Sequence, residues 1–265
     1  MSPLLNVNHV AVSIRRDGGG TDILRDVSFQ IQPGSAFALV GESGSGKSTL
    51  CRALTRLLPS PMKIEGSVLL DSTDLLSCSN EELREMRRRK IRYIFQEPYL
   101  TLNPLLKIKT LLRHAAPPET PDTILTESLT QAGLNNASDV LTHYPHQLSV
   151  GMQQRVMIAM AIIARPTLII ADEPTSALDE SLREEVLVLL KSLQRSQRMS
   201  LLLVTHDLSI ARRYADFVGV LYQGSLVEVA EAEKFFRSPE HQYSRLLVES
   251  SLRSTRESFS EENRI

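Results

Sequence analysis

The stretch that most constrains this 265-residue chain is Gly41-Glu42-Ser43-Gly44-Ser45-Gly46-Lys47-Ser48, which fits the pattern G-x-x-x-x-G-K-[ST]. It directly follows the apolar run Ala36-Phe37-Ala38-Leu39-Val40 and directly precedes a helical pattern. A short apolar run ended by glycine-rich sequence has the profile of a buried parallel strand. Glycines in the turn let consecutive backbone N–H groups point inward, and the positive end of the helix beginning near Lys47 adds its field at the same place. Such a turn cradles phosphate. Lys47 is placed to reach the β- and γ-phosphates of a nucleotide and the Ser48 hydroxyl to hold Mg²⁺, with Gly41, Glu42, Ser43, Gly44, Ser45, Gly46 and Thr49 completing the cradle. A glycine-rich turn without a ligand does not explain Lys47 at that position.

A second buried run, Leu168-Ile169-Ile170-Ala171, ends in the acids Asp172 and Glu173, and a third spans residues 200–204. Each is followed by a polar turn and then a helical pattern, so the core is an α/β unit with a parallel sheet. Ligands of open α/β sheets lie at the carboxyl ends of the strands, which lets Asp172 face the magnesium beside Ser48. Glu173 is then placed to orient or deprotonate an attacking water. Upstream, residues 4–14 and 23–31 flank Gly18-Gly19-Gly20 and read as a β-hairpin. From about residue 98 to 165 the β-like runs disappear, and helical patterns are separated by Ala116-Pro117-Pro118-Glu119-Thr120-Pro121. The fold expected is a P-loop NTPase core with a parallel sheet, an N-terminal antiparallel β subdomain and an inserted α-helical subdomain over about 98–165. Residues 1–252 form one ATPase domain in this reading, and residues 253–265 a polar, frayed tail.

The formal net charge is −1, so nothing global argues for nucleic acid as a partner. The basic cluster at residues 84–92 follows Ser79-Asn80-Glu81-Glu82, a capping-box pattern, and reads as the solvated face of a helix. The two cysteines, Cys51 and Cys78, match no metal-ligand spacing, as expected in a reducing compartment. No run approaches the roughly 18 apolar residues that a membrane-spanning helix needs, and the N-terminus lacks a secretory pattern. The expectation is a cytosolic chain that touches a membrane only through a partner.

At Leu148-Ser149-Val150-Gly151-Met152-Gln153-Gln154-Arg155, just before the acid-ended strand, the chain resembles the ABC family, whose signature is usually L-S-G-G-Q. Further matches follow in the family's order: Gln96 in Tyr93-Ile94-Phe95-Gln96-Glu97-Pro98 is similar to its Q-loop, Ser176-Ala177-Leu178-Asp179 to its D-loop, and His206 in Val204-Thr205-His206-Asp207 to its switch histidine. The resemblance implies an ATPase working as half of a nucleotide-sandwiching dimer. In it Gln96 links Mg²⁺ and the attacking water to the helical subdomain, and His206 stabilises charge developing on the γ-phosphate. Ser149 and the Gly151 backbone bind the γ-phosphate held by the opposing chain, and Asp179 belongs to the D-loop.

Two positions depart from the family's pattern. Val150 stands where glycine is usual, and its β-branched side chain disfavours positive φ and crowds an approaching phosphate; Met152 stands where glutamine is frequent. A weakened composite site is expected. The aromatic that usually stacks on adenine is missing from Val12-Ser13-Ile14-Arg15-Arg16, which leaves Ile14 to pack on the base or Arg15 or Arg16 to stack on it.

Other segments narrow the resemblance to the dipeptide, oligopeptide and nickel importer subfamily: Gly66-Ser67-Val68-Leu69-Leu70-Asp71, the extension Leu102-Asn103-Pro104, and the tail from Phe235-Phe236-Arg237-Ser238-Pro239-Glu240 through His241-Gln242-Tyr243-Ser244-Arg245-Leu246-Leu247. The subfamily's usual partners are a second, different ATPase chain, two transmembrane permease subunits and an extracytoplasmic solute-binding protein, with the ATPase at the cytoplasmic face of the cell membrane. The resemblance leaves peptide and nickel or metal-chelate import open, with peptide preferred. No cysteine follows Cys78, so no iron–sulfur cluster is expected. The alternative of a soluble ABC ATPase acting on DNA or ribosomes would need a long coiled-coil insertion between Lys47 and Ser149 or a second ATPase unit, and neither is present in the sequence.

Overall fold

A computed structural model describes residues 2–16 and 19–251. It divides the chain into two compact units, one formed by residues 1–77 and 203–265, the other by 78–202.

The first unit opens with a hairpin, β1 (Leu5–Arg16) and β2 (Gly19–Ile31), paired antiparallel from Leu5↔Ile31 to Arg16↔Gly19. On its other edge β1 pairs antiparallel with β4 (Met62–Leu70), and β5 (Thr73–Asp74) closes this four-stranded sheet, ordered β2-β1-β4-β5. Burial along β1 changes phase: Leu5 and Val7 are buried, then Val10 and Val12. A bulge makes the switch. The register shifts between Val7 and Val10, and His9 takes φ 49°, so the extra residue moves the apolar set back onto the buried face. Gly66 of β4 lies opposite, where a Cβ would come within 2.5 Å of the His9 carbonyl oxygen. The sequence pattern blurs here because a strict period of two is broken in mid-strand.

β3 (Ala36–Val40) pairs parallel with β9 (Phe217–Tyr222), and β10 (Ser225–Glu231) pairs antiparallel with β9. Asp216 pins the start of β3 at both ends of one link: its amide donates to the Ala36 carbonyl at 2.7 Å, and its carboxylate accepts from the Ala36 amide at 2.7 Å. The core on this sheet combines Ala38, Val40, Val218 and Val220 with Leu208 and Ala211 of α9 (Leu208–Tyr214), Phe235 of α10 (Ala232–Arg237), and Tyr243 and Val248. Residues 242–251 are helical. The helix α1 (Lys47–Leu54) follows the loop after β3 and buries Leu50, Cys51, Ala53 and Leu54.

In the second unit β6 (Ile91–Ile94) pairs parallel with β7 (Leu168–Asp172) in the register Ile91↔Leu168 to Ile94↔Ala171. Every residue of β7 is buried, in keeping with its unbroken apolar run. β8 (Ser200–Val204) lies where the division between the units falls; the Ser200 amide donates to the Thr167 carbonyl at 2.8 Å in the second unit, and the Thr205 amide to the Leu39 carbonyl at 3.2 Å in the first.

The stretch with no strand patterns is helical, as its sequence implies: α3 (Pro98–Thr101), α4 (Ile108–Ala115), α5 (Asp122–Gln131), α6 (Ala137–Val140), a 3₁₀ turn at Pro145–Gln147 and α7 (Val150–Ile162). α4 and α5 each bury one stripe, with Ile108, Leu111 and Leu112 on one and Leu125, Ser128 and Leu129 on the other. α7 is buried nearly all round, which marks it as the central helix of the group. The proline-rich break between α4 and α5 is tied down by Arg113, whose guanidinium donates to the Thr120 carbonyl and pairs with Asp122.

The basic cluster at residues 84–92 is not one helix face. α2 (Asn80–Arg89) carries Arg84 and Arg87 to Arg89 behind a capping box in which the Ser79 hydroxyl accepts from the Glu82 amide and the Glu82 carboxylate accepts from the Ser79 amide. Arg92, however, lies on β6, half-buried, and donates to the Ala115 carbonyl. Burial, with Arg88 adding repulsion, pushes its pKa down to about 10. Spacing alone could not divide the cluster, because the helix ends at Lys90 without a proline or glycine to mark it.

Candidate nucleotide site

The first unit holds the cradle. Gly41 and Gly46 take φ 151° and 107°, and substitution at either is obstructed: a Cβ on Gly41 would lie 2.2 Å from the Leu221 carbonyl oxygen, and one on Gly46 2.8 Å from the Leu24 side chain. At Gly44 a Cβ would meet nothing within 4 Å, so the loop is open on that side. Lys47 is 5% exposed, yet its ammonium lies at the loop, donating to the Gly41 and Glu42 carbonyls at 2.8 Å each. No side chain caps the N-terminus of α1, whose N-cap is the left-handed Gly46. Ser45 Oγ is buried and has no hydrogen-bond partner among the described residues. A buried cation, an uncapped helix N-terminus and an orphaned hydroxyl around an open glycine loop suit a polyphosphate. Ser48 and Thr49 are half-buried in the first turn of α1, and His206 is exposed, two residues past the end of β8.

The second unit holds the acids and the signature segment. Asp172 ends β7 at 3% exposure, and its carboxylate accepts a hydrogen bond of 2.6 Å from the Tyr93 hydroxyl. Glu173 follows at φ 46°, in the left-handed region that non-glycine residues rarely occupy. Gln96 is exposed, two residues beyond β6. Ser149 is the N-cap of α7, its hydroxyl accepting from the Met152 amide at 3.3 Å. Gly151 is buried, and a Cβ there would lie 3.2 Å from Leu182 of α8 (Glu180–Ser196). Asp179 caps α8 by accepting from the Leu182 amide at 3.0 Å.

Val150 corrects one expectation. It is the first residue of α7 and is not among the residues with positive φ, so no left-handed backbone is demanded of it; what remains is its bulk, with 46% of the residue exposed. Ile14 is half-buried on β1, paired with Thr21 and Met62, whereas the side chains of Arg15 and Arg16 and the tail from 252 onward lie outside the described residues.

Two residues with direct contacts to this machinery were assigned no role by the sequence reading. Tyr93, on the strand leading to Gln96, holds Asp172, and Tyr243 accepts a 3.2 Å hydrogen bond from the Glu42 amide. Both lie inside segments singled out in the sequence, but no motif records these contacts, since each joins residues far apart in the chain. Ser48 in the first unit, and Gln96 and Asp172 in the second, each carry a hard oxygen of the kind that magnesium takes.

A glycine loop between the buried strand β3 and helix α1, with the Lys47 ammonium held at it, is that of a P-loop nucleoside triphosphatase. The sequence pattern of the ABC transporter family matches residues 24–176, and the chain belongs to that family as an ABC-type ATPase. It is 40% identical over 254 residues to the oligopeptide transport ATP-binding protein OppD of Lactococcus lactis subsp. cremoris, a match covering 93% of this chain and 75% of the relative. It is 38% identical over 261 residues to the dipeptide transport ATP-binding protein DppD of Bacillus subtilis, covering 94% of this chain and 76% of the relative. Its fold is similar to the dimeric post-hydrolysis state of the ATP-binding cassette MJ0796 bound to ADP and Pi, with a TM-score of 0.73 and 31% identity over 86% of this chain and 98% of that one. Among the described residues no helix is long and apolar enough to cross a membrane.

Proposed function

We propose that this chain couples ATP hydrolysis to peptide uptake, as the peripheral ATPase of an importer at the cytoplasmic face of the cell membrane. Similarity over more than nine-tenths of the chain to ATPases named for oligopeptide and dipeptide transport carries the reading. Its partners are a second ATPase chain, two transmembrane permease subunits and an extracytoplasmic binding protein. A dimer is supported by the related cassette, which is described as dimeric with ADP and Pi.

In the chemistry we assign, residues 41–49 hold the triphosphate and Lys47 balances its β and γ charge, and Ser48, Asp172 and Gln96 are the residues that would serve Mg²⁺. Bound magnesium neutralises charge on the phosphate oxygens. Glu173 takes a proton from the attacking water or orients it, and His206 donates to the oxygen on which charge develops. Ser149 and the Gly151 amide serve the nucleotide of the opposing chain, and Asp179 belongs to the D-loop.

Co-purification from native membranes tests the reading. Recovery of permease subunits and a binding protein whose bound solute is a peptide is expected. A binding protein carrying nickel or a metal chelate would replace the solute assignment, and recovery of ribosomes or DNA without membrane proteins would overturn the transport reading.

A further inference from the structure

The tail segment that stands out in the sequence, residues 235–247, plays no part in the chemistry above, yet the structure ties it to the cradle. Its anchor is Glu228 on β10, whose two carboxylate oxygens accept from the amides of Glu240 and His241 at 2.9 Å each. Burial pushes the Glu228 carboxyl up, but the Glu240 and His241 amides, with Ser244 and the His241 ring, together hold its pKa below the ordinary range. His241 Nδ1 accepts from the Tyr243 amide at 3.2 Å, which fixes the start of the helical segment 242–251. Tyr243 is 8% exposed, and its ring lies against Tyr222 of β9 with centroids 4.0 Å apart. Its hydroxyl therefore has little freedom, and it meets the backbone amide of Glu42 at 3.2 Å.

That amide belongs to the Gly41–Glu42 peptide unit, whose carbonyl accepts from the Lys47 ammonium at 2.8 Å. The two bonds lie on opposite edges of one planar group. An acceptor on the N–H edge polarises the peptide and strengthens the carbonyl as an acceptor on the other edge. We infer that Tyr243 is a positioning residue for nucleotide binding: through the Gly41–Glu42 peptide its hydroxyl sets where the Lys47 ammonium sits. The C-terminal segment thereby becomes part of the phosphate cradle, with Glu228 as its fixed end. The inference rests on residues 41–49 being the ATP cradle.

Tyr243→Phe removes the hydroxyl and keeps the ring contact with Tyr222. Loss of one part-buried hydrogen bond is expected to weaken Mg·ATP binding to the isolated full chain by about three- to tenfold. The thermal midpoint without nucleotide should fall by no more than about 2–4 °C, and in the assembled transporter KM for ATP should rise while kcat holds. Glu228→Gln, which loses one of the two acceptors at the anchor, should weaken ATP in the same direction and by less. The double variant should bind no more weakly than Tyr243→Phe alone, since both act through one hydroxyl. An affinity for Tyr243→Phe equal to the parent's overturns the inference, as do losses that add in the double variant. Failure of the parent chain itself to bind Mg·ATP would instead refute the cradle.

Discussion

At Glu173 the backbone and the chemistry meet in one residue. A non-glycine residue at φ 46° costs of order 1 kcal/mol, and it persists because β7 is locked by burial on one side and Thr175 is buried on the other. The strain turns the chain sharply after Asp172, so consecutive acids need not share a direction. Gln has the same size and the same backbone preferences as Glu, so Glu173→Gln should leave this turn and ATP affinity intact while removing the proton acceptor. Single-turnover hydrolysis is expected to fall at least about a hundredfold. Equal single-turnover rates for variant and parent would mean that another group handles the water. Lys47 is buried, yet the Gly41 and Glu42 carbonyls hold its ammonium at the loop, where it adds to the positive N-terminus of α1 in attracting phosphate.

Among the elements, α7 depends on a clamp set by a single glycine. Arg155 reaches from α7 to the Ala132 carbonyl at the end of α5 and to Glu185 of α8 at 2.6 Å. Gly133 makes room for it, at φ 82°, with a hypothetical Cβ only 2.2 Å from the guanidinium. Alanine there would both strain the backbone and displace the arginine, so Gly133→Ala should lower stability by about 1–3 kcal/mol. Urea unfolding followed by circular dichroism checks this, and a midpoint equal to the parent's would show that the turn relaxes freely. The ion pair itself contributes modestly, because Glu185 is largely exposed. Arg155's reach is legible as a basic residue in the signature helix, but its partners are not, since they lie 23 and 30 residues away.

For the whole molecule, the open question is how much its divergent signature costs the assembled transporter. Val150 is exposed at the start of α7, on the segment assigned to the opposing chain's nucleotide. Its helical backbone removes the conformational objection, so any penalty is steric. Val150→Gly should leave ATP binding to the isolated chain unchanged and raise turnover of the full complex about tenfold, the effect of about 1.4 kcal/mol in the transition state. Steady-state hydrolysis with the partner's own catalytic glutamate inactivated isolates the affected site, and no change at either site would mean that the valine is accommodated. The sequence by itself determined the strand–cradle–helix unit, the acid-ended strand and the helical insertion, because each rests on local constraints: glycine conformation, unbroken apolar runs and helix capping. Only the tertiary structure decided the phase switch at His9, the division of the basic cluster at Lys90, the Tyr93 hydroxyl on Asp172 and the Tyr243 hydroxyl on the Glu42 amide. The two tyrosine contacts join residues 79 and 201 positions apart, and no local pattern records which distant side chain folding will bring to a given polar group.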